Sequence, residues 1–176
     1  MKKIIILSIF IYYCFTLIAQ STASPCSGPN YRQFDFWIGQ WDVYGPKGKK
    51  AGDSKISLIL DSCIILEEWK STGVTNGVHF QGKSFNTYNA ATGQWQQTWV
   101  DNAGGSNEYL SGNAEGNKII FLTSPFPFTK DTMAVRRLTF FNLDENKVRQ
   151  LGEISKDNQS TWAIEYDLEY RRKKED

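Results

Sequence analysis

Three stretches of the chain set hydrogen-bonding side chains among large aromatic rings at a spacing of two. Cys63, Ile65, Glu67 and Trp69 fall at alternate positions, as do Phe80, Gly82, Ser84, Asn86 and Tyr88, and Trp95, Gln97, Trp99 and Asp101. On extended backbone, residues two apart point to the same side. If those sides face an interior, Glu67, Asn86 and Gln97 stand inside it beside Trp69, Tyr88 and Trp99. Buried polar groups require partners. Arg137, Arg149, Gln150 and Glu153 could supply them from the protein, and so could a bound molecule. A carboxylate buried without a cation is costly, so an arginine such as Arg137 or Arg149 is expected to neutralise Glu67, and Arg137 is grouped with the site. Gly82, in mid-strand, is expected to leave room where a side chain would otherwise fill the interior. Aromatic walls with a few convergent polar groups make up the usual small-molecule site. The same residues also fit a self-satisfied internal network with no ligand, or strands whose polar side faces water.

Other chemistry is poorly supported. Glu67 and Glu68 are adjacent, so on a strand they point to opposite faces and cannot work as an acid/base pair. No His, Cys, Asp and Glu set has zinc-ligand spacing, and no serine or cysteine has a histidine–acid arrangement around it. No catalytic residue, metal or cofactor is therefore assigned. Non-enzymatic binding of a small, partly apolar molecule is the expected role. An enzyme using Glu67 or Glu153 as a single acid/base is the rival, and a filled structural barrel the third reading. Asn158-Gln159-Ser160 is a glycosylation sequon in form.

The elements that must position these residues are strands. Ser54 to Leu60 alternates, with Ser54, Ile56, Leu58 and Leu60 on one face. Cys63–Lys70, Val78–Tyr88, Gln94–Asp101, Glu108–Gly112, Lys118–Thr123, Ala134–Phe141, Lys147–Ser155 and Thr161–Arg171 follow. Stretches such as Asn102-Ala103-Gly104-Gly105 and Asp144-Glu145-Asn146 separate them, because Gly, Asn and Asp tolerate positive φ or bond to their own backbone. No segment after Trp37 carries a 3.6-residue apolar period. The connections are short, and aromatics are spread over every strand. These features predict an all-β fold: a single antiparallel up-and-down β-barrel of about 9–10 strands with a short N-terminal helical turn. Ser124–Asp131 sets two phenylalanines between prolines and reads as a loop, either a lid over the barrel mouth or rings packed on its wall.

Lys2 and Lys3 precede an apolar run from Ile4 to Ile18 and small residues at Ala19–Ala23. This is the form of a signal peptide over residues 1–24. The run of about 15 residues falls short of the roughly 20 needed to span a bilayer, and no later stretch could span one. Residues 25–176 then form one domain, exported to the periplasm or beyond. Removing Lys2 and Lys3 leaves 18 basic and 19 acidic residues, a net charge of −1. With no basic patch, nucleic acid is excluded as an expected partner. The sequence carries no signal for oligomeric state. Cys26 and Cys63 are the two cysteines left, and an even pair in a secreted chain favours a disulfide over two buried thiols.

The opening Phe34-Asp35-Phe36-Trp37-Ile38-Gly39-Gln40-Trp41-Asp42-Val43, with Trp95-x-Gln97-x-Trp99-Val100-Asp101 and Val148-Arg149-Gln150, resembles a family of small secreted bacterial proteins catalogued as a domain of unknown function. That family is similar to the lipocalin-like (calycin) barrels. Gly82–Tyr88, Arg137–Phe140, Glu153-x-Ser155 and Thr161-Trp162 also match, so the likeness runs from Tyr31 to Arg171. Gln40 stands where an acid is common, and Ser62 where a glycine is common. The resemblance implies a fold and a compartment but no reaction. It also implies that Gly39-x-Trp41 opens the barrel, with Trp41 at its closed end covered by Arg171 or Arg172. Barrels of the related nitrobindin type bind haem through one histidine. His79 is the single histidine here, but the glycine-rich opening of that group is incomplete beyond Gly39-x-Trp41, so haem is the weaker reading.

Overall fold

The apolar–polar alternation lays down eleven strands, seen in a computed structural model that describes residues 24–174. They are β1 (Gly39–Tyr44), β2 (Lys50–Ile59), β3 (Ile64–Thr75), β4 (Val78–Asn89), β5 (Gln94–Asp101), β6 (Ser106–Glu115), β7 (Lys118–Leu122), β8 (Phe126–Thr129), β9 (Thr132–Asp144), β10 (Lys147–Ser155) and β11 (Ala163–Arg172). Two 3-10 turns, Pro29–Arg32 and Asp35–Trp37, precede them. The expected signal segment, residues 1–24, lies almost wholly outside the described residues. Among the described residues no helix is long and apolar enough to cross a membrane.

Ten of the strands close an antiparallel up-and-down barrel. Neighbours in sequence pair from β1 to β7, β7 pairs with β9, and β9, β10 and β11 continue the meander. The ring closes where β1 lies against β11, with Trp41 opposite Arg172 and Val43 opposite Tyr170. Closure leaves the barrel no unpaired edge. β8 stands outside this ring. It forms a short hairpin arm with β9, placing Phe126 opposite Ala134. Proline is tolerated at position 127 because β8 is an edge strand, where a missing N–H breaks no ladder. The Ser124–Asp131 segment is therefore partly strand. Its Phe126 ring lies 5.0 Å from the Arg136 guanidinium carbon and its Phe128 ring 3.8 Å from Lys156 Nζ.

The inward face of each strand divides into layers. The closed end is a dry aromatic core in which Phe34 and Trp37 stack at 5.1 Å and meet Phe140, Trp95, Phe121 and Tyr170. Trp41 is fully buried beside them, and its indole N–H donates to the Trp37 carbonyl at 2.8 Å. Phe34 and the second 3-10 turn thus plug the barrel from below. Arg172 covers the plug, its guanidinium 4.2 Å from the Trp41 ring centre and donating to the Ile38 carbonyl at 3.0 Å. Gly39, at φ +140°, is required here twice over. That φ disfavours any L side chain, and a Cβ would overlap the Arg172 guanidinium.

A disulfide joins Cys26 to Cys63. It ties the N-terminal approach to the β2–β3 turn, which also accepts a hydrogen bond from Arg32 at the Ser62 carbonyl. That turn places Leu60, Asp61 and Ser62 at positive φ. Leu60 therefore leaves the inward face expected of it and is exposed.

Candidate functional site

Above the aromatic plug the barrel interior turns polar, and above that it is hollow. On β3, Ile65 belongs to the plug, Glu67 stands one step higher and Trp69 one step higher again. The register sets Ile65 opposite Asn86, Glu67 opposite Ser84 and Trp69 opposite Gly82 on β4, while Asn86 faces Gln97 and Ser84 faces Trp99 on β5. The period of two has thus carried the expected side chains inward together.

The polar layer is a connected network. The Gln97 amide N–H donates to Asn86 Oδ1 at 2.7 Å, and Asn86 Nδ2 donates to the Ile65 carbonyl and to the Ser84 hydroxyl at 2.9 and 3.0 Å. Ser84 in turn donates to Glu67 Oε2 at 3.1 Å, and Ser54 from β2 donates to Oε1 at 2.8 Å. The Tyr170 hydroxyl from β11 lies 3.1 Å from Glu67 Oε1 and 2.8 Å from Gln150 Oε1. It has one proton for these two acceptors. Burial pushes the Glu67 carboxyl up to about 7, against the opposing pull of the Ser54, Tyr170 and Ser84 hydrogen bonds. When Glu67 is protonated it can donate to Tyr170, which then donates to Gln150, so the carboxyl, the Tyr170 hydroxyl and the Gln150 carbonyl are each paired.

Over this floor lies a cavity of about 460 Å³. Trp69, Phe80, Trp99, Tyr166 and Leu168 form its apolar walls, Glu67, Gln97 and Gln150 reach it from the floor, and Arg136 and Glu165 line one side. The Arg136–Glu165 pair is bidentate, at 2.8 and 3.1 Å, and Arg136 also donates to Asn107 at 3.1 Å. The Gln97 carbonyl oxygen and the Gln150 amide N–H groups have no protein hydrogen bond, so the cavity floor holds free acceptor and donor capacity beside Glu67.

The seven expected ligand residues separate into three groups. Glu67, Trp69, Gln97 and Trp99 line the cavity. Asn86 lies just beneath, as the link between Gln97 and Ser84, and Tyr88 sits at the closed end, edge-on to Tyr31 and Trp95. Arg137 does not line the cavity. Leu138 and Phe140 face the core, so the period of two turns Arg136 inward and Arg137 outward. Arg137 instead donates to Glu153 at 2.8 Å and stacks over Trp162 at 4.1 Å. Nor does Glu153 line the cavity. Arg149 is likewise committed to Asp167. Neither arginine neutralises Glu67, which is held by hydroxyls alone.

Gly82 also departs from expectation. The room it leaves is occupied by the Trp99 indole, which a Cβ at position 82 would overlap. The indole N–H donates to Asp101 at 3.2 Å, and Asp101 is anchored by the backbone N–H groups of Ala103 and Gly105. Gly82 therefore seats a wall of the cavity. Glu165 and Tyr166 both reach the cavity because β11 slips register against β10 between Gly152 and Glu153, so two consecutive residues share one side. Alternation could not reveal that, although Tyr166, Leu168 and Tyr170 do share a face in the sequence. His79 Nδ1 lies 2.8 Å from the Ser71 carbonyl, a role within the strand pair. Among the described residues no His, Cys, Asp and Glu cluster could hold a metal ion. No protein-family model matches the chain and no curated protein is similar to it in sequence, so its likeness to lipocalins stands on the closed ten-stranded barrel itself.

Proposed function

We propose that this is an exported lipocalin-like protein, cleaved after residue 24, that binds a small, partly apolar molecule inside its barrel in the periplasm or outside the cell. The observation that carries the reading is the hollow above the plug: about 460 Å³, walled by aromatic rings, with unsatisfied amide groups on its floor. A filled structural barrel would have placed Trp69 and Trp99 across that space, whereas they stand along its sides. The Cys26–Cys63 bond is in keeping with an oxidising compartment. The opening motif keeps the small secreted bacterial family as the proposed kinship. Glu67, Trp69, Gln97 and Trp99 are the proposed contact residues, with Asn86 positioning Gln97.

Native mass spectrometry of the purified protein tests this by detecting a co-purified small molecule. Quenching of tryptophan emission by added amphiphiles tests it independently, since Trp69 and Trp99 are in the wall. A Gln97→Leu variant should then weaken polar ligands, at a stability cost of about 1–3 kcal/mol because the buried Asn86 Oδ1 loses its donor. A protein that carries nothing, and whose emission no amphiphile moves, would refute the reading. One observation favours an enzyme instead: Glu67 titrates near neutrality, as a general acid/base should. A bound molecule that changes mass over time in the wild type, and not in Glu67→Gln, would establish that alternative.

A further inference from the structure

We propose that the cavity selects an organic cation, a protonated primary or secondary amine seated against Glu67 with its apolar body held between Trp69, Phe80 and Trp99. This rests on the binding reading above and narrows it to a class of ligand.

Three observations point the same way. The first is the absence of a counter-charge. Among the described residues no lysine or arginine pairs with Glu67, and its oxygens are held by the hydroxyls of Ser54, Ser84 and Tyr170. The one arginine in the wall, Arg136, is neutralised by the bidentate Glu165 contact and by Asn107. With Glu67 ionised, the cavity therefore carries one net negative charge. An anionic ligand would meet that charge and would have to break the Arg136–Glu165 pair to find a cation.

The second observation is the lone-pair count. A carboxylate offers about four acceptor sites. The contacts from Ser54 and Tyr170 fall on Oε1, while Oε2 has only Ser84. One site on Oε2 is left, and Gln97 Oε1 beside it has no donor. An ammonium group brings donors only, so it suits these two acceptors. The third observation is the rings. Trp69 and Phe80 meet edge-on at 5.8 Å, and Phe80 and Trp99 lie 6.4 Å apart, directly above Glu67 in the layer order. Aromatic faces attract cations as well as apolar groups, and the attraction grows in a desolvated site.

Seating a cation on Glu67 requires the carboxyl to be ionised, so binding is linked to pH. The groups facing it are Ser54 from β2, Ser84 from β4, Gln97 from β5, Gln150 from β10 and Tyr170 from β11, with Tyr109, Tyr166 and the Arg136–Glu165 pair higher in the cavity. Burial raises Tyr170 and Tyr109 above the ordinary tyrosine value, so both stay neutral below pH 8. Glu67, with its carboxyl near 7, is left as the group whose charge changes.

The experiment compares decylammonium, 1-decanol and decanoate, which share one chain and differ in head charge, by tryptophan quenching at pH 8. The expected order is decylammonium tightest, by about tenfold or more over decanol, with decanoate weakest. From pH 8 to pH 6 the ionised fraction of Glu67 falls about tenfold, and the decylammonium affinity should fall with it while decanol is unmoved. Glu67→Gln should abolish both the preference and the pH dependence and keep decanol binding. The wild-type pH series stands on its own if that variant folds poorly. Decanol or decanoate binding as tightly as the amine would overturn the cation inference and leave the binding reading intact. A Glu67→Gln loss equal for amine and alcohol would also overturn it. Silence from all three probes would remove both.

Discussion

Replacing Glu67 by glutamine should favour the folded protein more at high pH than at low pH. The carboxyl titrates near 4.5 in the unfolded chain and near 7 in the barrel, raised by burial. The folded state therefore holds a proton that the unfolded state gives up over this interval. The stability this contributes is fully present below about 4.5 and is lost as pH rises to about 7, with no further change above. Between pH 5 and pH 8, linkage with those two values gives a loss of about 2–3 kcal/mol. For a chain of this size that is a fall in Tm of roughly 5–10 °C. Glutamine is isosteric and never ionises. Its carbonyl can accept from Ser54 and its amide can donate to the Ser84 hydroxyl, while the one Tyr170 proton goes either to that carbonyl or to Gln150. Urea unfolding followed by tryptophan emission, at intervals from pH 5 to pH 8 with the disulfide intact, isolates the effect as the difference between the two proteins. The gap between the curves should widen by about 2–3 kcal/mol from pH 5 to pH 8, in the variant's favour. Parallel curves would refute the argument, because they would mean that Glu67 is ionised in the barrel at low pH as readily as in water.

Three other perturbations test the closed end. The Cys26–Cys63 bond closes 37 residues, so reducing it should cost about 3–4 kcal/mol in the chain-entropy picture, and a non-reducing alkylation assay should find no free thiol in residues 25–176. Trp41→Ala should cost about 3–5 kcal/mol, as for other large buried aromatics. Arg172→Ala should cost less, about 1–2 kcal/mol, because it removes a cation over an indole and leaves the Ile38 carbonyl without that donor. Thermal melts of the two variants check the order, and an unchanged Tm for Trp41→Ala would contradict the plug.

The barrel was legible because its signals are local. Strands β5 and β10 begin and end where turn residues and alternation put them, and the absence of helical periodicity is a property of the whole chain. Trp41 under Arg172 was likewise legible through Gly39-x-Trp41. Phe34 and Trp37 were not assigned to the core, since a 3-10 turn of three residues has no period to read. Their burial follows from where the turn is docked, and the disulfide and the Arg32 contact with the β2–β3 turn fix that docking. β8 was missed because two prolines in eight residues argue against a strand, and the argument fails only on an edge.

The site was legible where parity holds and lost where it breaks or was not applied. Glu67, Trp69, Gln97 and Trp99 sit on uninterrupted ladders at the cavity level, so counting by two brought them together. Counting by two from Leu138 and Phe140 would have turned Arg136 inward. The cost of burying a carboxylate points instead to Arg137 or Arg149 as a neutralising cation. That need was met in another way. Partial protonation, three hydroxyls and a tyrosine that can pass its proton to Gln150 hold Glu67 without an arginine. The charge state of Glu67 therefore follows from its partners in three dimensions and not from the strand pattern, which places side chains without showing which of them share protons across the interior.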